Sequence, residues 1–142
     1  MADYLKLYPF PKKYYSLYEK PDFMEKIFTP YRERMVEQCG VVFFLFGNKK
    51  NKDGEIINAD GVQKEFDIAV NKKKYVFPIG ATGYKAKELA DLVLSDFEKY
   101  NGCMPNIKVK LQELNTPHLS KDKIISSILS IIDILSFKPE LR

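Results

Sequence analysis

Val41-Val42-Phe43-Phe44-Leu45-Phe46 is an apolar run with no polar residue inside it. A strand that showed one face to water would alternate polar and apolar side chains. An unbroken run reads instead as a strand covered on both faces, the situation of a parallel sheet packed between helices. Parallel neighbours need a crossover, and a helix is its usual form. The expected partner strand is Tyr75-Val76-Phe77-Pro78-Ile79, reached after a segment of helical periodicity.

That segment, Asp60 to about Asn71, repeats Val62, Phe66, Ala69 and Val70 at helical spacing, with Asp60 available as a cap and Lys72-Lys73-Lys74 ending it as a solvated tip. Upstream, Asp22 is placed to cap a short turn through Phe28. Thr29-Pro30 then supplies an N-cap and a first-position proline for a helix running to Cys39 and stopped at Gly40. The polar stretch from Gly47 to Asn58 contains Asp53-Gly54, a turn signal, and reads as a loop or small hairpin. Gly80-Ala81-Thr82-Gly83 leads directly into a helix expected over Tyr84 to Tyr100. Residues 106–111 alternate Ile107, Val109 and Leu111 with lysines and fit a short edge strand or a helical segment equally well. Ser120 caps a last helix to Ser136, whose stripe of Ile124, Ile125, Ile128, Ile131, Ile132 and Leu135 belongs in the core or a dimer interface. The order predicts an α/β fold: one domain over residues 22–142, a mostly parallel sheet flanked by helices. Residues 1–21 precede it as an aromatic arm bearing Tyr4, Tyr8, Tyr14, Tyr15 and Tyr18, expected to cover the core or a subunit interface rather than stack on a base.

The 142 residues suit one core, and a net charge of +4 scattered among nearly as many carboxylates favours small anions over nucleic acid, which asks for a continuous basic stripe. Cys39 and Cys103 form neither a CxxC nor a Cys/His cluster, so no disulfide framework or metal site is expected and reduced thiols in cytoplasm are the default. Neither a signal peptide nor a membrane span is expected, since Ile124 to Leu135 is interrupted by serines and Asp133.

Ligands of open parallel sheets bind beyond the carboxyl ends of the strands. Two such ends are legible: Phe46-Gly47-Asn48-Lys49, with a glycine for close backbone approach and polar donors after it, and Gly80-Ala81-Thr82-Gly83, whose amides and hydroxyl are candidates to cradle a phosphate at a helix start. Two charges stand where their helices should be apolar. Arg32 shares a face with Met35, Val36 and Cys39, and Glu65 lies between Val62 and Ala69 on the inward stripe. Buried charges need partners. Either the two form a structural ion pair, or Arg32 reads a phosphate through its planar fork while Glu65 accepts ribose hydroxyls. Arg34 faces solvent on this reading. His118, the only histidine, sits in a proline-bearing loop without a nucleophile constellation around it, so no catalytic residue is assigned.

Tyr31-Arg32-Glu33-Arg34-Met35, Phe46-Gly47-Asn48-Lys49, Ala59-Asp60-Gly61-Val62-Gln63-Lys64-Glu65-Phe66 and Pro78-Ile79-Gly80-Ala81-Thr82-Gly83 together resemble the SLOG domain at the carboxy terminus of Thoeris anti-phage NADases, from about Leu5 onward. The resemblance implies a Rossmann-like domain that binds a cyclic ADP-ribose isomer made by a partner TIR protein, and that controls an attached sirtuin-like NADase through rearrangement of a homodimer or tetramer. It further implies that Arg32 and Lys49, with Lys50 the neighbouring alternative, contact the pyrophosphate, that Glu65 contacts a ribose, and that Gly47, Asn48, Gly80, Ala81 and Thr82 line the pocket.

Two departures qualify this. The strand and glycine-rich turn that open the family's domain do not precede Leu5, and the sirtuin-like domain is absent, so the expectation is a sensor rather than an enzyme, with no cofactor beyond its ligand. A wider resemblance links SLOG domains to LOG enzymes, which remove the base from nucleoside monophosphates. Arg32 and Glu65 match at comparable spacing, but Asp60-Gly61-Val62 replaces the glycine-threonine cradle. A LOG-like glycosidase and a stand-alone binder that sequesters the signal are the alternatives.

Overall fold

A computed structural model describes residues 21–136, with side chains from Glu25 onward. Along the chain come α1 (Pro21–Glu37), β1 (Val41–Phe44), β2 (Asn48–Lys50), β3 (Ile56–Asn58), α2 (Asp60–Asn71), β4 (Tyr75–Pro78), α3 (Tyr84–Ser95), α4 (Phe97–Asn101), α5 (Pro105–Glu113) and α6 (Lys121–Ser136), with a 3-10 turn at Gly80–Thr82. The arm expected over residues 1–21 lies outside the described residues except for Pro21, which opens α1.

The two apolar runs pair as expected. β1 and β4 are parallel, with Val41 opposite Tyr75 and Phe44 opposite Pro78, and α2 makes the crossover between them. β2 and β3 form an antiparallel hairpin of their own. The architecture is α/β, a small parallel sheet flanked by helices, with the hairpin beyond the carboxyl end of β1. Val76, Phe77 and Ile79 from β4 and its exit are fully buried among Phe66 and Ala69 of α2, Leu89 and Val93 of α3, and Ile107 and Leu111 of α5.

Several elements differ from expectation for identifiable reasons. Helix α1 runs through Pro30 instead of starting there, and Asp22 lies inside it. A proline within a helix forfeits one backbone hydrogen bond, a loss offset here by the packing ahead of it, because Phe28 and Val36 are both buried on the face that carries Arg32. β1 stops at Phe44, leaving Leu45 and Phe46 exposed, because the backbone turns left-handed at Phe46. The cap of α2 is Ala59, without a side-chain bond, and Asp60 pairs with Lys49 instead.

The helix expected from Tyr84 to Tyr100 breaks at Asp96, where φ −149° leaves the helical region. The break lets Phe97 re-enter the core. Residues 105–113 are helical: Pro105 takes the first turn, and Ile107 and Leu111, four apart, are buried while Val109 points out. Ser120 does cap α6, its Oγ accepting the Lys123 amide at 3.2 Å. Of the α6 stripe, Ile131 is buried and Ile125 and Ile132 are exposed, together with Leu129. The lysine tip after α2 also reaches the end of α1: Lys74 Nζ donates to the Glu37 carbonyl at 3.2 Å, a cation at a helix carboxyl terminus. Among the described residues no helix is long and apolar enough to cross a membrane, and no cluster of His, Cys, Asp and Glu could hold a metal ion.

Candidate functional site

Both strands of the parallel sheet end on the same side, so their exits, Leu45-Phe46-Gly47 and Ile79-Gly80, emerge together; the Ile79 amide still bonds the Phe44 carbonyl at 2.9 Å. Beyond that point the first chain turns sharply. Phe46 has φ 57° and Gly47 φ 88°, two successive left-handed residues. Gly47 is required there twice over. Its φ disfavours any side chain, and an added Cβ would stand 2.8 Å from Lys85 Cβ and 3.1 Å from Val62 Cγ2. Its backbone is thus clasped between the first turns of α2 and α3, and its carbonyl accepts the Ala59 amide at 2.7 Å, closing the root of the hairpin.

Asn48 and Lys49 leave from this clasp. Both are exposed, and Lys49 Nζ reaches Asp60 Oδ2 at 3.2 Å on the first turn of α2. Successive residues of a strand point to opposite faces, so Lys49 and not Lys50 is the lysine brought to α2. The hairpin is tied to α3 as well: Asn58 Nδ2 donates to Glu88, which also takes Lys85 Nζ at 2.7 Å.

Arg32 does point inward. Its side chain is 12% exposed and Glu65 25%, and Arg32 Nε meets Glu65 Oε1 at 3.4 Å. Of the two expectations for these charges, mutual pairing is the one on view. It is a loose pair, since charge-assisted bonds of this type run about 2.7–2.9 Å and Arg commonly closes a two-bond fork on a carboxylate. The guanidinium also lies over the Phe28 ring, 5.5 Å from its centroid, and against α2, where an added Cβ at Gly61 would stand 2.9 Å from Nη2. Gly61 therefore opens the space in which Arg32 rests, next to Asp60 and its lysine. Burial raises the Glu65 pKa, and the nearby Arg32 charge and hydrogen bond only partly counter it.

The Gly80-Thr82 turn has a different part from the one expected. The Ala81 amide donates to the Leu114 carbonyl at 2.7 Å, that of Thr82 to Ile79 at 3.1 Å and that of Gly83 to Gly80 at 2.9 Å. The Thr82 hydroxyl donates to the Ile79 carbonyl and accepts the Phe46 amide, both at 2.7 Å. These donors are engaged within the protein, and the turn acts as a stitch that holds the exit of β1 against the exit of β4. The Ala86 amide completes the hold by donating to the Phe46 carbonyl at 2.9 Å.

Arg32, Glu65, Gly47 and Lys49 thus gather around the start of α2, with Asn48 opposite Asn58 in the hairpin, while Thr82 supports that cluster through Phe46 and Gly80 and Ala81 lie against Asn115 and Leu114. Sequence reasoning placed Phe46 at a strand end but gave it no role, and did not pick out Asp60 as the partner of Lys49, or Lys85 and Tyr84 at the start of α3. A left-handed phenylalanine has no sequence signal. A separate cavity of about 430 Å³ opens at the other end of the sheet, lined by Lys73, Tyr75, Lys99, Tyr100 and Cys103 among others. It is remote from the two buried charges, and the chemistry described above lies at an open surface.

The sequence model of the Sir2- and TIR-associating SLOG family matches residues 1–135 of the chain. The chain is 42% identical over 113 residues to the NAD(+) hydrolase ThsA of Bacillus cereus (strain MSX-D12), an alignment covering 79% of this chain and 24% of that protein. It is 35% identical over 135 residues to the NAD(+) hydrolase ThsA of Cytobacillus dafuensis, covering 95% and 26%. With the NAD(+) hydrolase ThsA of Acinetobacter baumannii (strain 532279) it shares 34% over 139 residues, covering 94% and 28%. The chain spans about a quarter of the length of these relatives.

Proposed function

The chain belongs to the Sir2- and TIR-associating SLOG family, and from that membership and the geometry around α2 we propose that it senses a cyclic ADP-ribose-type signalling nucleotide in anti-phage defence. Arg32 and Lys49 take the pyrophosphate and Glu65 accepts the ribose hydroxyls, with Gly47 and Asn48 forming the floor. Occupancy is passed, through a change of oligomer, to an NAD-hydrolysing domain of the kind its relatives' names imply. The setting is the bacterial cytoplasm.

One observation carries the reading. Arg32 and Glu65 are both largely withdrawn from water and meet each other at 3.4 Å, beside a helix start that Gly61 clears and that Lys49 reaches through Asp60. A pyrophosphate offers the guanidinium two oxygens in a fork, and ribose hydroxyls offer the carboxylate donors, so this inward cation and acid beside Lys49 match the chemistry of a ribose phosphate. Calorimetric titration of the chain with cyclic ADP-ribose isomers tests it. Binding that Arg32→Lys weakens tenfold or more, because lysine keeps the charge but loses the fork, is the expected result. The absence of binding heat at high micromolar nucleotide ends the reading.

A second reading, a LOG-like nucleoside-monophosphate glycosidase, is favoured by the raised pKa of Glu65, since a general acid must hold its proton near working pH. Incubation with AMP and chromatography for free adenine separates the two: a sensor, or a binder that only sequesters the signal, releases none.

A further inference from the structure

Phe46 and Tyr84 share two unusual properties. Both are non-glycine residues in the left-handed region, at φ 57° and 55°, and both are large apolar residues left exposed, at 53% and 43%. Left-handed backbone is sterically disfavoured for residues with a Cβ, and large side chains adopt it least. Such strain, where the surrounding structure enforces it, tends to mark a site of function. The enforcement at Phe46 is visible. Its amide is held by the Thr82 hydroxyl at 2.7 Å and its carbonyl by the Ala86 amide at 2.9 Å, so residues 82–86, with Tyr84 at their centre, grip it on both sides. Among the described residues neither ring packs on another aromatic. Each residue keeps about half of its surface in water, and the grip of residues 82–86 on Phe46 brings Tyr84 beside it at the exit of β1.

This pair adjoins the charged cluster. Gly47 follows Phe46 and is wedged against Val62 and against Lys85, the residue after Tyr84. Moving from there onto α2 leads from Val62 to Gly61, where Arg32 rests, and to Asp60, which holds Lys49. A molecule with phosphates at Arg32 and Lys49 would carry its remaining part toward Phe46 and Tyr84. Every nucleobase has a π-face for which an exposed ring is the matching surface, and stacking is the usual recognition where hydrogen-bond donors are scarce.

We propose that Phe46 and Tyr84 form a stacking site for the purine base of the nucleotide, set apart from the ribose-phosphate contacts at Arg32, Lys49 and Glu65. This rests on the sensor reading above. The fixed left-handed backbone holds the rings outward before ligand arrives, so less ordering is required on binding.

The test uses the 142-residue chain with cyclic ADP-ribose, and exploits the absence of tryptophan from the sequence. Tyr84→Trp installs a single emitter beside Phe46. Retained affinity together with quenching on titration is expected if adenine stacks there. Phe46→Gly and Tyr84→Ala should each lower affinity by about 5- to 150-fold, the range found when stacked aromatics are removed. Phe46→Gly should keep or raise the melting temperature, since glycine adopts this φ freely, so lost binding is not lost folding. Wild-type binding that both variants retain, with an unquenched tryptophan, overturns the stacking site and leaves the sensor reading standing. Failure of the wild type to bind the nucleotide removes both.

Discussion

Asn101, buried at the end of α4, gives both halves of its side-chain amide to Val76. Its Oδ1 accepts the Val76 amide at 2.8 Å and its Nδ2 donates to the Val76 carbonyl at 3.0 Å. Val76 lies in β4, which among the described residues has β1 on one side only, and the asparagine takes up the backbone groups that face away from β1. Asn101→Leu would leave a buried donor and acceptor without partners, each worth about 1–3 kcal/mol. A loss of about 2–4 kcal/mol in urea unfolding is expected. A loss below about 1 kcal/mol would mean that water reaches this edge and replaces the amide.

The Arg32–Glu65 pair makes the two residues unequal in their effect on stability. Arg32→Ala leaves a largely buried carboxylate without its cation, and a destabilisation of about 1–3 kcal/mol is expected. Glu65→Gln, by contrast, replaces a carboxylate that burial already disfavours with a neutral amide of the same shape, and should be near neutral or slightly stabilising. Chemical denaturation of both variants gives the comparison. Equal losses would indicate a tight mutual ion pair rather than a loose one.

The same residue sets a pH dependence whose sign can be worked out. Burial raises the Glu65 pKa more than Arg32 lowers it, so the folded protein holds this proton to higher pH than the unfolded chain does. The resulting stability is complete below the ordinary glutamate range and is lost as pH rises through the raised folded value. The stability of wild type minus that of Glu65→Gln should therefore fall as pH climbs through the window just above that range, and be flat on either side. A rise across that window would show that the attraction to Arg32 outweighs burial.

How much of this was legible in the sequence depended on whether a signal was local. The parallel pair β1–β4 followed from two apolar runs, and the inward placement of Arg32 and Glu65 followed from helical spacing. Helix α1 hid its true start because Pro30, read as a beginning, sits inside it, and only the burial of Phe28 decides the matter. The alternation at residues 106–111 could not separate strand from helix until the neighbours of Ile107 and Leu111 were known. At the candidate site the residues around α2 were identifiable by type. The role of Thr82 was not, because its partner Phe46 is 36 positions away and bonds through its backbone.

Gly80 carries a second testable contact, with Asn115 in the loop after α5. A Cβ at position 80 would stand 1.7 Å from Asn115 Oδ1 and 3.1 Å from Ala90 Cβ, and Asn115 Nδ2 is anchored on Asp91 at 2.9 Å. That bond, after the one from Lys87, helps hold the Asp91 carboxyl below its usual pKa. Gly80→Ala should thus expel the Asn115 side chain and cost about 1–3 kcal/mol as an overpacked site. In the Asn115→Ala background the same change should cost much less, leaving only the tight approach to Ala90. A double-mutant cycle by thermal unfolding reads the coupling, and additive losses would place the strain in the backbone instead.

Thr82 distinguishes a stitch from a ligand contact. Its hydroxyl has its proton on the Ile79 carbonyl and an acceptor site on the Phe46 amide, both at 2.7 Å, so removing it frees the exit of β1 from the exit of β4. Thr82→Val keeps the shape and removes both bonds, for an expected loss of about 1–3 kcal/mol, while Thr82→Ser should restore most of it. Nucleotide affinity should fall with the valine variant as well, because Phe46 loses one of the two hydrogen bonds that hold its backbone. The two losses should travel together and be rescued together by serine. A valine variant with unchanged melting temperature but weakened binding would instead put the hydroxyl in direct contact with ligand, which the inward bonds of this turn argue against.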